Sequence, residues 1–265
     1  MIIVGELINT SRKDIELAVE NMDTQLIQNI AQKQVEAGAT YVDVNAGTQL
    51  AKEPETLEWL VKTVQSAVNV PLCIDSPNAV ALDVALRAHS GKAMINSITA
   101  EEDRYRTVLP LIKKYGCSVV ALCMDDSGMP ASVADRIRIA GQLVKNLTAE
   151  GVPAGDIYLD PLVFPIGTGS GNCLMVLETI QEVNRCFAGV HTICGLSNVS
   201  YGLPLRKLLN RVFLVLCMGA GMDSVILNPM DKRIMSLVHA AKALMDQDEY
   251  CISYITAFRE GKLDA

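Results

Sequence analysis

The sequence predicts a single (β/α)8 TIM barrel over residues 1–265. Short β-branched runs alternate with longer helical patterns from one end of the chain to the other. Eight such runs can be placed, and no linker or shift in composition interrupts them.

The expected strands are Ile2–Leu7, Tyr41–Asn45, Leu72–Asp75, Ala93–Ser97, Ser118–Met124, Ile157–Leu162, His191–Leu196 and Ser224–Asn228. They read as nearly continuous apolar runs, as parallel strands do when both faces are covered. Between the first two, Thr24–Ala37 carries Leu26, Ile27, Ile30, Ala31 and Gln34 at helical spacing. Gly38, Gly116 and Gly151 follow helical stretches, where a left-handed residue ends a helix before the next strand. After the eighth unit, Glu249–Arg259 reads as one extra C-terminal helix. A doubly wound sheet with additional strands is the competing architecture.

Half of the 265 residues are apolar, yet only four are Phe and one is Trp, so the core must be aliphatic. A net charge of −7 leaves no basic stripe to neutralise phosphates, which argues against a nucleic-acid partner. The eight cysteines include no C-x-x-C pair, and with three histidines (His89, His191, His239) a zinc site of the usual spacing is not expected. Cys73, Cys123 and Cys194 lie inside apolar runs, where a thiol acts as a small hydrophobe; a reducing cytoplasm suits this pattern. The N-terminus lacks the features of a signal peptide, and the run Val212–Met222 is too short to span a bilayer, so no membrane association is expected.

Barrels of this kind place their chemistry at the C-terminal ends of the strands. Those ends carry Glu6 and Asn9, Asp43 and Asn45, Asp75-Ser76, Asn96-Ser97, Met124-Asp125-Asp126, Asp160-Pro161, Ser197-Asn198 and Asn228. Carboxylates and amides recur, and Lys and Arg are expected to be missing from this mouth, which disfavours a phosphorylated substrate. A ring of acceptors suits a neutral ligand rich in N–H donors. A pterin is one: its 2-amino group and N3–H form an edge that a single carboxylate can accept with both oxygens. The same oxygens would serve Mg²⁺ or Ca²⁺, and spacing alone does not separate the two.

Several of these residues have plainer readings. Asp43 can form a turn or cap a helix, Asp75-Ser76-Pro77 can cap a helix beginning near Pro77, and Glu6 can pair with polar neighbours as a structural residue. Asp160 before a proline has no obvious capping role, and Asn96 inside a buried run needs some partner. His89 and His239 read as packing residues, and His191 begins a strand on the opposite face of the barrel.

Gly5-Glu6-Leu7-Ile8-Asn9, Asp43-Val44-Asn45-Ala46-Gly47, Leu72-Cys73-Ile74-Asp75-Ser76, Met94-Ile95-Asn96-Ser97, Asp160-Pro161-Leu162 and Gly195-Leu196-Ser197-Asn198-Val199-Ser200 together resemble the pterin-binding barrel family. Within it the chain is most similar to the methyltetrahydrofolate:corrinoid methyltransferases, and the likeness runs through essentially the whole chain. The resemblance implies an enzyme that moves a methyl group between N5 of (5-methyl)tetrahydrofolate and the cobalt of cobalamin, cycling between Co(I) and methyl-Co(III) on a separate corrinoid protein. It implies that Asp75, Asn96 and Asp160 grip the pterin ring, that Asn198 approaches N5, and that Arg206 stands near the pterin mouth. With Ser197, Glu6, Asp43, Asn45 and Asn228 these form the candidate folate-binding set, and Asn198 and Asp75 are the candidates for catalysis. A homodimer is implied by the resemblance only. The chain departs from the family at Tyr201-Gly202-Leu203-Pro204 and at Asp125, where the corrinoid partner or the folate tail would approach. Dihydropteroate synthase is a sibling activity, but the late cationic cluster it uses for diphosphate is replaced here by Ser197-Asn198-Val199. A non-catalytic folate-binding subunit is a further alternative.

Overall fold

The computed structural model describes residues 1–264. Its strands are β1 (Ile2–Asn9), β2 (Tyr41–Asn45), β3 (Leu72–Asp75), β4 (Met94–Ile98), β5 (Ser118–Leu122), β6 (Ile157–Asp160), β7 (His191–Thr192) and β8 (Ser224–Leu227). Helices α1 (Lys13–Glu20) and α2 (Thr24–Glu36) follow β1, and α3 (Glu53–Gln65), α4 (Ala79–Ala88), α5 (Glu102–Tyr115), α6 (Val133–Ala149), α7 (Asn172–Cys186), α8 (Arg206–Gly219) and α9 (Lys232–Leu244) follow one strand each. The terminal α10 (Ile252–Arg259) is shorter than the expected Glu249–Arg259, because Tyr250 and Cys251 turn left-handed and a 3₁₀ turn takes up Glu249–Cys251. The Asp248 carboxylate accepts the N–H groups of Ser253 and Tyr254, both at 2.9 Å, and so caps α10.

All pairings are parallel, in the order β7-β6-β5-β4-β3-β2-β1-β8. A parallel bridge between Gly195 and Ile226 and the bond from Ile226 N–H to Cys194 O at 2.9 Å bring the two ends of the sheet together, as a (β/α)8 barrel requires.

Side-chain alternation explains where the polar residues fall. Val4, Cys73, Met94, Val120, Tyr158 and Ile193 form a buried cluster inside the barrel, separate from the packing between sheet and helices. Two residues further along each strand the same face is presented again. That next layer carries Glu6, Asp75, Asn96, Leu122 and Asp160. The register pairs Asn45 with Asp75 and Asp75 with Asn96, so these groups stand side by side. Asp43 pairs with Cys73, one layer deeper.

Strand ends account for most differences from expectation. β6 stops at Asp160 because Pro161 has no N–H for the ladder and Leu162 is left-handed at φ 61°. β5 stops at Leu122, where Met124 N–H turns back to Leu122 O at 2.7 Å. β7 is two residues long rather than His191–Leu196: its ladder breaks after Ile193, and Leu196–Ser200 winds into a 3₁₀ turn.

Candidate active site

The strand ends and their loops enclose a mouth cavity of about 710 Å³. Glu6, Asp43, Asp75, Asn96, Asp160, Ser197, Asn198, Arg206 and Asn228 all line it. Asn45 does not. Its Nδ2 donates to Asp75 Oδ2 at 2.9 Å while its Oδ1 accepts Gly47 N–H at 2.9 Å, so it holds Asp75 rather than facing the cavity.

Asp75 is no helix cap: α4 begins later and is capped by Asn78, whose Oδ1 accepts Val80 N–H. Behind Asp75, Arg104 ties two loops together by donating to the carbonyls of Ser76 (2.8 Å) and Ser97 (2.6 Å). Burial raises the Asp75 carboxyl above its ordinary range, opposed by the Asn45 hydrogen bond and the Arg104 charge. Asp43 forms no turn or cap; it is 2% exposed and its Oδ1 has no partner among the described residues. Burial and the nearby Asp75 charge hold its carboxyl protonated well above the usual range.

Asp160 has a local structural bond that its sequence context did not suggest: Oδ1 accepts Leu162 N–H at 2.8 Å. Burial pushes its carboxyl up to about 7, against the Leu162 and Gly195 N–H groups. Glu6 points into the mouth, where its Oε1 accepts the Ser197 hydroxyl at 3.0 Å. Its carboxyl is also raised by burial. The floor is therefore a set of acids that resist ionisation until a donor-rich ligand compensates them.

The 3₁₀ turn Leu196–Ser200 presents Asn198, exposed and with no side-chain hydrogen bond among the described residues. Arg206, the first residue of α8, locks this turn: it donates to Ser197 O at 2.7 Å and Ser200 Oγ at 3.1 Å, and its guanidinium lies 5.8 Å from the centre of the Tyr201 ring. Asn228 Oδ1 accepts Met230 N–H at 2.9 Å at the end of β8.

One expectation is overturned. Cations are not missing from the mouth: Arg12, Arg206 and Lys207 all line the cavity. Arg12 and Lys207 sit beyond the strand ends, in the loop after β1 and the first turn of α8, so an inventory of strand termini passes over them. Asp125, which departs from the family pattern, closes its own loop instead of facing the cavity; it accepts from Ser127 N–H and pairs with Arg138 at 2.8 Å. At the opposite end of the barrel His191 stacks on Tyr158 with ring centres 4.7 Å apart, and His89 Nε2 accepts Leu72 N–H at 3.1 Å, so both are packing residues. Among the described residues, no three His, Cys, Asp or Glu side chains converge as a metal site.

Solved structures of dihydropteroate synthases share this architecture. The enzyme from Xanthomonas albilineans, in complex with indole-2-carboxylic acid and 6-chloroguanine, superposes with a TM-score of 0.71 over 93% of this chain and 92% of that one, at 15% identity. The Yersinia pestis enzyme gives 0.66 over 94% and 93%, at 20% identity. At such identities the likeness is one of fold. In sequence, a methylcorrinoid:tetrahydrofolate methyltransferase of Eubacterium limosum is 35% identical over 99% of this chain and 98% of its own length. Methionine synthase of Mycobacterium tuberculosis is 30% identical over 92% of this chain, which spans 21% of that longer protein. The model of the family described as pterin binding enzyme matches residues 5–228, from the β1 glycine to the amide just after β8, and thus includes the polar layer of the barrel. With a family match of that extent and a relative alike from end to end, this chain belongs to the pterin-binding enzymes.

Proposed function

We propose that the protein moves a methyl group between N5 of (5-methyl)tetrahydrofolate and the cobalt of a corrinoid carried by a separate protein, in either direction. The carrying observation is the layer of Asp75, Asn96 and Asp160 at the base of the cavity with the unengaged amide of Asn198 at its side. The likeness to the Eubacterium limosum methylcorrinoid:tetrahydrofolate methyltransferase supports the same reading.

The donor set suits a pterin. Asp160 accepts from the 2-amino group and N3–H, while Asp75 and Asn96 take the remaining polar edge. Binding turns the cost of buried carboxylates into charge-assisted bonds. The corrinoid, when its protein docks, supplies the cobalt that gives or takes the methyl group. Everything else falls to this chain. Neutral N5 would leave as an amide anion, so it must gain a proton or a strong hydrogen bond as the C–N bond breaks. Asn198 donates its N–H to N5, or accepts from N5–H once N5 is protonated. Asp75, oriented by Asn45 and with its proton affinity raised by burial, tunes the proton balance through ordered water. The cations Arg12 and Lys207 face the anionic tail of the folate. Positioning and a fixed field then supply most of the acceleration.

Mixing the protein with methyltetrahydrofolate and reduced cobalamin, and following the cobalamin absorbance, tests the reading. Methyl transfer supports it. Folate binding without transfer to cobalamin or to any corrinoid protein would select a folate-binding subunit. Condensation of a pterin diphosphate with p-aminobenzoate would select a synthase.

The resemblance also implies a homodimer, and we place its contact on α8. Leu208, Val212 and Leu216 are exposed there at helical spacing, with Leu205 exposed just before the helix, a stripe that pairing would cover. A cytoplasmic setting is proposed on the cysteines, which are free thiols, with Cys73, Cys117, Cys123, Cys194 and Cys217 buried.

A further inference from the structure

Arg136, in the first turn of α6, is fully buried at 0% exposure. Its hydrogen bonds run to two carbonyls and, at 3.8 Å, to the Met175 sulfur, and none of them reaches a carboxylate. Nε donates to Pro161 O at 2.7 Å, and Nη1 donates to Ser132 O at 3.2 Å. The guanidinium lies 5.2 Å from the Phe164 ring centre, and Nη2 has no partner among the described residues. A guanidinium buried in this way costs several kcal/mol, on the order of what a good ion pair returns, unless another interaction offsets it.

The peptide that Arg136 grips is the one that serves Asp160. The carbonyl of the Pro161–Leu162 peptide receives Arg136, and the N–H of the same peptide donates to Asp160 Oδ1 at 2.8 Å. Leu162 is left-handed, at a cost of ~1 kcal/mol for a residue with a Cβ, so these two bonds fix the peptide against its own preference. A cation at the carbonyl end polarises the peptide and strengthens its N–H as a donor to the carboxylate at the other end.

We propose that Arg136 is a positioning residue for Asp160: through the Pro161–Leu162 peptide it aims that carboxyl into the pterin cavity and favours its ionised form against the burial that opposes it. The folate consequence rests on the function proposed above. The Gly195 N–H also favours the ionised form of Asp160, directly and without Arg136, while the titratable groups nearby do not duplicate the relay. Cys123, beyond β5, and Cys194, beyond β7, are buried thiols whose pKa values are raised, Cys123 by burial and Cys194 by contact with Cys217 and by burial, so both are neutral. Across the cavity stand the acids Glu6, Asp43 and Asp75, with Arg12, Arg206 and Lys207 at the wall. Asp135 adjoins Arg136 on α6 and is bound to Ser132 Oγ at 2.8 Å.

The test follows the Leu162 amide resonance of the ligand-free protein from about pH 5 to about pH 9, with Asp160→Asn as the control that removes the transition. Arg136→Met should raise the midpoint by about one pH unit and weaken folate binding about fivefold near neutral pH, with the loss vanishing at high pH. Arg136→Lys, which keeps the charge, should stay within about twofold. If Arg136→Met does not fold, Arg136→Gln carries the same expectation, since it keeps a donor for Pro161 O and removes the charge. An unchanged midpoint, or a loss of binding equal at every pH, would overturn the proposal, as would a lysine variant as impaired as the neutral one. The midpoint is read without folate, so a shift accompanied by no folate binding in the wild type leaves the relay standing and removes the pterin assignment instead.

Discussion

Asn45 Nδ2 donates to Asp75 Oδ2 at 2.9 Å, and the backbone N–H of Gly47 fixes the other end of the same carboxamide. The amide is thereby oriented, so Asp75 always meets a donor and never the carbonyl oxygen. Asn45→Ala should raise the Asp75 pKa further and weaken folate binding by about 1 kcal/mol, or about fivefold. Asn45→Asp should be worse, since it sets a second carboxylate against Asp75. Calorimetric titration of the two variants checks the order; equal affinities would show that Asn45 does not prepare Asp75 for the ligand.

Asp160 links binding to pH. Its carboxyl is raised to about 7 by burial, so the folded protein holds this proton over a range in which the unfolded chain has lost it. The ligand-free protein should therefore lose stability as pH rises from the ordinary carboxylate range through about 7, by a few kcal/mol from this group. Asp160→Asn should flatten that part of the profile and cost about 1–3 kcal/mol in folate binding. Thermal melts across pH, with and without folate, measure both. A variant whose pH profile and dissociation constant match the wild type would remove Asp160 from the ligand contact.

Arg12 and Lys207 face the cavity without belonging to the acceptor layer. Lys207→Gln and Arg12→Gln should each weaken tetrahydrofolate about threefold to fivefold, on the scale of a partly screened ion pair, and leave a tetrahydropterin without the glutamate tail within about twofold. Equal losses for both ligands would place these cations against the ring rather than the tail.

The apolar stripe on α8 sets the expectation for assembly. Leu208→Glu combined with Val212→Glu should convert a dimer to a monomer in sedimentation without lowering the melting temperature of the monomer. A wild-type monomer at micromolar concentration would remove the assignment.

The fold was legible because barrel strands announce themselves as apolar runs, and β2 and β3 end at the expected residues. The ends of β5, β6 and β7 were read too long, since turns at Met124, Leu162 and Gly195 are set by tertiary bonds and left-handed backbone that apolar character does not encode. The residues of the acceptor layer were legible because they stand at the C-terminal ends of the apolar runs. Arg12 and Lys207 were not, because they reach the cavity from a loop and a helix start. Asn45 was assigned to the ligand but serves Asp75, a distinction that depends on the β2–β3 register. Arg136 had no signal at all: a basic residue in an amphipathic helix is ordinarily solvated, and only packing reveals that this one is buried.

The proposed methyl transfer turns on Asn198 acting at N5. Its direct test is single-turnover transfer from methyltetrahydrofolate to a reduced corrinoid protein, with wild type and Asn198→Ala compared at saturating folate. A hydrogen bond that strengthens in the transition state predicts a rate at least about tenfold lower in the variant, with a folate dissociation constant within about threefold of wild type. An unchanged rate would contradict the account, whatever happens to binding.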